Sequence, residues 1–160
     1  MDKINIQTKI LIIVVGLGIS SYIIQQFIRL QEESGFSLPI LKTSETFQNS
    51  LEKAKNLDSY KTLLIWDTAF AIVYGVTFYT MLIILTDAKW VEYTVIIHVI
   101  LDFLENYLAY NIITQYQKNK EIKNTSLYSI LSTIKWGFAG WNMGNIGYRT
   151  IFKVGKYLVK

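Results

Sequence analysis

The 160-residue sequence contains no cysteine, one histidine and one proline. Without cysteine, the chain has no disulfide framework, no thiolate zinc site, no covalent haem attachment and no cysteine nucleophile. A single histidine excludes a metal site built from several histidines, and we expect neither a bound metal nor another cofactor. One proline and 14% aromatic residues argue against a disordered or linker-rich chain.

Charged residues are also scarce, at 18% of the chain, and the net charge is only +4. The lysines and arginines lie between long apolar runs instead of forming a basic stripe, so nucleic acid is not expected as a partner. Hydrophobic residues make up 51% of the sequence. A lipid bilayer is therefore the expected solvent for most of this chain.

Four apolar runs each have about 20 residues, the length that a helix needs to cross ~30 Å of hydrocarbon. We predict membrane spans at about 8–28, 62–86, 91–114 and 127–148. The short connection between the second and third runs allows only a tight hairpin between antiparallel neighbours. The predicted fold is all-α: a single integral membrane domain over residues 1–160, built as a multi-pass four-helix bundle.

The first loop, residues 30–61, is the only segment that is typical of a soluble region. Thr43 or Ser44 can cap a short amphipathic helix, predicted over about 44–57, which would lie on the mouth of the bundle or in the headgroups. Its apolar face would consist of Phe47, Leu51 and Ala54.

The orientation in the membrane is predicted from the lysines and arginines that flank the spans. The two sides carry nearly equal numbers, but a dense basic cluster at the C-terminus directly follows the fourth span. This cluster favours a location in the cell (inner) membrane with both termini cytoplasmic.

Several polar side chains fall inside the predicted spans, where an ionisable group costs about 2.5–3.5 kcal/mol near the bilayer centre. Helical periodicity places them on one face of each span, and the alternating directions of the spans bring them toward the first-loop side. In span one, the expected inward face is Gly18, Tyr22, Gln25, Gln26 and Arg29. The candidate ligand-binding residues are Asp67, Tyr74, Asp102, Glu105, Asn106 and Lys135.

Lys135 should pair with at least one of Asp67, Asp102 and Glu105, because an unpaired ammonium at that depth would cost several kcal/mol. One interpretation of this cluster is structural, with the charged and amide side chains joining the helices of the bundle. The other is functional, because three acids against one lysine leave surplus negative charge that could hold a proton or a cation.

Two further patterns have competing interpretations. His98 and Asp102 are spaced like a metal pair, but one imidazole with carboxylates is a poor transition-metal set, and a hydrogen-bonded bundle histidine is the expected role. Gly140 and Gly144 form a GxxxG pattern on the face of span four opposite Lys135. That face is either the seam of a homodimer or a contact with another helix of the same chain.

Three motifs resemble the signatures of a family of uncharacterised bacterial four-span membrane proteins. In order, that family has D-x-x-F-x-x-x-Y-G, D-x-x-E-N and T-x-K-[FW], each in a separate span. The matching segments here are Asp67–Gly75, Asp102–Asn106 and Thr133–Trp136. The resemblance implies a four-span bundle and marks Asp67, Tyr74, Asp102, Glu105, Asn106 and Lys135 as a set, without assigning an activity.

Two functions are compatible with these patterns. In the first, the buried site binds a small polar or amphiphilic ligand, such as a lipid, or protons. As an enzyme, it would use Glu105 or Asp102 as general acid or base, with Lys135 stabilising an anion. In the second, the protein is a non-catalytic subunit or scaffold of a membrane complex that works through the glycine face.

The position of the polar residues also predicts how the site is reached. We expect a funnel that opens on the first-loop side and is partly covered by the short loop helix. The opposite half, with residues 10–15, 81–85 and 95–97, should be a dry aliphatic plug.

Overall fold

The computed structural model describes residues 5–35, 43–119, 122 and 124–158. These residues form five helices and no strand: α1 (Ile6–Ser34), α2 (Ser44–Lys53), α3 (Leu57–Leu85), α4 (Lys89–Asn119) and α5 (Thr125–Leu158). Residues 36–42 of the predicted first loop, residues 120, 121 and 123, and both chain ends lie outside the described residues. The same holds for the lysines within them that enter the orientation count.

Each predicted span coincides with one helix, except that the second span ends one residue beyond α3, at Thr86, and the helices otherwise extend further than the apolar runs that predict them. They extend because their polar ends continue the backbone hydrogen bonding and are capped. Thr43 caps α2, as predicted, with its hydroxyl accepting a hydrogen bond from the Thr46 amide. Asn56 caps α3 in the same way, and Gly35 ends α1 in the left-handed conformation, at φ 65°.

The all-α prediction is confirmed, and three of the described helices, α1, α3 and α4, are long and apolar enough to cross a membrane. This is consistent with a membrane protein. The 34-residue α5 is the longest helix, at about 50 Å, but it is not among those three. Because α5 is long enough to cross a membrane, it is its more polar composition that distinguishes it from α1, α3 and α4.

The four long helices are antiparallel neighbours in the order α1, α3, α4, α5, and α2 packs on α5. We call the end of the bundle that carries α2 the loop end and the opposite end the hairpin end. At the loop end, Phe47 of α2 inserts between Tyr60 of α3 and Tyr128 of α5, with 4.2 Å between the ring centroids of Phe47 and Tyr128. All three rings are fully buried. The loop helix therefore lies on the mouth of the bundle, as predicted.

Helix α1 shows that the predicted polar face of span one is wrong. Tyr22, Gln25 and Arg29 are exposed, while Gly16, Ile23 and Leu30 are buried against the bundle. These three buried residues are seven apart, which is the spacing of a narrow seam against a single neighbour. A Cβ atom at Gly16 would lie 2.1 Å from the Thr77 hydroxyl oxygen, so glycine is what permits this approach of α1 to α3.

The hairpin end only partly matches the predicted aliphatic plug. None of residues 10–15 is buried, and Ile96 and Ile97 are exposed, because they lie on outer faces of α1 and α4. Leu82, Val91 and Val95 form a buried cluster. Beside it, the amide oxygen of the buried Asn142 accepts a hydrogen bond of 2.5 Å from Thr94. The hairpin end is therefore joined by polar side chains as well as by aliphatic packing.

Candidate functional site

A buried ion pair joins α4 to α5 near the middle of the bundle. Lys135 Nζ lies 3.1 Å from Asp102 Oδ1, and it also contacts Glu105 Oε2. The three side chains belong to residues that are 7%, 3% and 1% exposed, respectively. The prediction that Lys135 pairs with one of the acids is confirmed, with two of the three as direct partners.

Tyr74 of α3 connects this ion pair to His98. Its hydroxyl donates a 2.5 Å hydrogen bond to Asp102 Oδ2 and lies 3.3 Å from His98 Nε2. Because the tyrosine proton is directed at the carboxylate, the second contact assigns the imidazole proton to Nε2. The other ring nitrogen, Nδ1, is buried without a hydrogen-bond partner in the described part of the chain. His98 is thus a hydrogen-bonded residue of the bundle that retains one open acceptor.

A cavity of about 260 Å³ adjoins this network and is lined by residues of all four long helices. Its polar atoms come from Tyr74, His98, Asp102 and Lys135, with Asp67, Ser20 and Thr77 beside them. The remaining lining residues are apolar: Leu17, Phe70, Phe78, Trp136, Ala139 and Met143. The cavity therefore combines a charged floor with an apolar rim.

The wall formed by α3 is aromatic. Phe70, Tyr74 and Phe78 follow one another at the helical spacing of four residues, with ring centroids 5.3 and 5.6 Å apart along the row. Across the cavity, the ring of Trp136 lies 5.4 Å from the Lys135 ammonium, which is within the range of a cation–π contact. Aromatic faces thus border the charged floor on two sides.

The six candidate residues occupy two positions relative to the cavity. Asp67, Tyr74, Asp102 and Lys135 line it. Glu105 lies behind Lys135 as its second carboxylate, and the Asn106 amide donates to the Thr68 hydroxyl. The geometry thus gives these last two residues supporting contacts between helices.

Sequence patterns did not identify the lining residues of α1, or those of α5 that lie beyond Lys135 toward the hairpin end. On α5, Ala139 lies one turn after Lys135 and Met143 one turn further, so their spacing from the lysine was the available signal. Ser20 of α1 had no such signal, because α1 was expected to turn a different face inward.

Access to the cavity differs from the predicted funnel. The loop end is filled by Phe47, Tyr60 and Tyr128, because the apolar face of α2 is buried there. The cavity instead lies between Leu17 of α1 and Met143 of α5, both of which are exposed. The predicted opening on the first-loop side is therefore wrong, and the cavity is reached from the side of the bundle.

The glycine face of α5 is not packed within the chain. A Cβ atom placed at Gly137, Gly140, Gly144 or Gly147 would meet nothing within 4 Å. Of the two interpretations, the contact with another helix of the same chain is wrong for the described residues, whereas the homodimer through Gly140 and Gly144 stays a prediction. Close approach of helices inside the bundle occurs at Gly16 and at Gly75, where a Cβ would lie 2.5 Å from Val99.

Comparison with models of known protein families gives no match, and neither does comparison with curated proteins or with solved structures. The family resemblance of the three motifs accordingly stays a prediction.

Proposed function

We propose that the chain is a multi-pass membrane protein whose four long helices all cross the bilayer. The support for a fourth span is the way α5 uses its polar residues. Lys135 and Asn142 face the bundle and are satisfied there, while Ile130, Ile134 and Trp141 are exposed. A helix of this kind is polar toward its partners and apolar toward lipid, so its mean composition understates its compatibility with a membrane.

The location is proposed from the sequence. We place the protein in the inner membrane of a bacterial cell with both termini cytoplasmic, on the basis of the basic cluster that follows the fourth predicted span and of the family resemblance.

Within this membrane protein, the cavity between α1 and α5 binds an amphiphilic small molecule that enters from the lipid. The observation that carries the proposal is the division of the cavity into a charged floor and an apolar rim that is open at the side. A headgroup would reach Asp102, Lys135 and Tyr74, and a tail would leave between Leu17 and Met143. Pockets that hold whole drug-sized ligands have volumes of about 300–1,000 Å³. The cavity, at about 260 Å³, is therefore of a size to hold the headgroup while the tail lies outside it.

The ion pair gives the floor a fixed geometry. Lys135 already contacts Asp102 and Glu105, so it orients these carboxylates and is less suited to stabilise an anionic intermediate. Binding therefore fits the site better than acid–base catalysis that relies on Lys135 as the anion-stabilising group.

Native mass spectrometry of the protein purified in dodecyl maltoside tests the proposal. We expect one retained lipid-sized adduct per chain in the wild type and in Gly140→Phe, whose new ring would point away from the bundle. Ala139→Phe fills the cavity and should remove the adduct. An adduct that persists in Ala139→Phe, or that is lost equally in Gly140→Phe, would contradict the assignment of the ligand to this cavity.

A further inference from the structure

We propose that the headgroup bound in this cavity is a cation, specifically an ammonium group carried on an apolar tail. This inference rests on the proposed function and adds the chemical class of the ligand. Three properties of the cavity support it: the balance of its charges, the aromatic rings beside them, and an open acceptor on His98.

The charges of the site are unequal. Lys135 is shared between Asp102 and Glu105, so its single positive charge faces two carboxylates. Asp67 adds a third carboxyl side chain on the cavity wall, within electrostatic range of Lys135. An anionic headgroup would increase the surplus of negative charge in a region of low dielectric, whereas a cation would reduce it.

The aromatic rings border the space that a bound ammonium group would occupy. Phe70, Tyr74 and Phe78 form one wall beside Asp67, and Trp136 forms part of the opposite wall. The negative faces of aromatic rings attract ammonium groups, and the attraction reaches about 2 kcal/mol or more where water is excluded. Carboxylates together with aromatic rings are the combination that recognises an ammonium group, whereas phosphate sites are built from arginine, lysine or backbone N–H groups.

His98 supplies an independent observation. The residue lines the cavity at 5% exposure, and its Nδ1 atom has no hydrogen-bond partner among the described residues. Since Nε2 carries the proton toward Tyr74, Nδ1 is an acceptor. A buried acceptor without a donor is unfavourable, and an N–H donor of a bound amine would satisfy it.

The test uses the absence of cysteine from the chain, which makes Ala139→Cys the only thiol. In dodecyl maltoside micelles, the rate of its modification by N-ethylmaleimide is measured at increasing mole fractions of three twelve-carbon probes. These probes are dodecylammonium, dodecyl phosphate and dodecylphosphoethanolamine, so both ammonium probes carry N–H donors for the open acceptor of His98. Leu17→Cys provides a second reporter on the opposite wall of the cavity, and Ile130→Cys on the exposed face of α5 is the control.

We expect dodecylammonium to protect both cavity thiols at a mole fraction at least about tenfold lower than dodecyl phosphate does, and to leave Ile130→Cys unchanged. Asp67→Asn should raise the required mole fraction about tenfold or more, because it removes a carboxylate from a desolvated charge contact. The matched variant Asp87→Asn, in the exposed hairpin turn, should not change it.

The remaining outcomes separate the two proposals. Protection by dodecylphosphoethanolamine equal to that by dodecylammonium supports ammonium recognition with a lipid headgroup as its source, and weaker protection points to a free amine. Equal or better protection by dodecyl phosphate overturns the inference but leaves amphiphile binding intact. If none of the probes protects either thiol, the inference is wrong, and the absence of a native adduct would then overturn the proposed function as well.

Discussion

Replacing Lys135 with methionine tests the central contact of the site. The substitution removes the ammonium but keeps most of the side-chain volume, so Asp102 and Glu105 lose their shared partner while the packing changes little. Removing one partner of a buried ion pair typically destabilises a protein by about 3–5 kcal/mol, because an uncompensated charge remains. We expect a loss of this size, since all three residues are almost fully buried.

The origin of the loss can be separated from the packing change by a second variant. In the triple variant Lys135→Met, Asp102→Asn, Glu105→Gln, no charge is left in the pair. If the loss in Lys135→Met comes from uncompensated carboxylates, the triple variant should recover part of it, because neither residue 102 nor residue 105 then carries a charge. The hydrogen bond from Tyr74 to residue 102 can persist with asparagine.

The assay is equilibrium unfolding in mixed micelles of dodecyl maltoside and sodium dodecyl sulfate, followed by circular dichroism. Lys118→Met, at an exposed position of α4, is the matched control and should stay within about 0.5 kcal/mol of the wild type. A Lys135→Met variant that is no less stable than this control would refute the argument that Lys135 compensates the buried acids. A triple variant that loses more than Lys135→Met would refute the electrostatic origin of the effect.

Two further predictions concern packing. Gly16→Ala should destabilise the protein by about 1–3 kcal/mol, because its Cβ would overlap the Thr77 hydroxyl. Gly18→Ala, which has open space around it, should instead stabilise the protein by up to about 1 kcal/mol through its higher helix propensity. The same unfolding assay measures both variants, and equal effects would contradict the close packing of α1 on α3 at Gly16. Phe47→Ala should release α2, since removing a buried phenylalanine costs about 3–5 kcal/mol. Amide hydrogen exchange over residues 44–53 should then be about 100-fold faster or more, whereas the control variant Glu45→Ala should keep the wild-type exchange rate. Full protection of these amides in Phe47→Ala would show that other contacts hold α2.

Much of the helical architecture could be predicted from the sequence because apolar length and polar periodicity are local properties. The buried face of α4, from His98 to Ala109, follows directly from the spacing of its polar residues. The pairing of Lys135 with an acid of α4 was also predictable, because helices of fixed rise convert sequence position into height. Contacts that depend on these two quantities alone were predictable.

The remaining features depend on which helices become neighbours, and periodicity contains no information about that. The polar residues Tyr22, Gln25 and Arg29 of α1 suggested an inward face, but α1 packs along α3, where Gly16 allows the closest approach. In the same way, the amphipathic face of α2 indicated that it would be buried, but not that Phe47 would fill the mouth of the bundle. The sideways position of the cavity follows from these two contacts together.

For a chain whose four long helices all cross the bilayer, as proposed, the ion pair between Asp102 and Lys135 also constrains the order of insertion during synthesis. The two residues are 33 positions apart, so the acids of α4 leave the ribosome about 2–7 s before the lysine that neutralises them, at ~5–20 residues per second. Alone in lipid, Asp102 and Glu105 would each cost about 2.5–3.5 kcal/mol. We therefore expect α4 to remain beside the insertion machinery until α5 emerges, and the two helices to enter the bilayer as one hairpin.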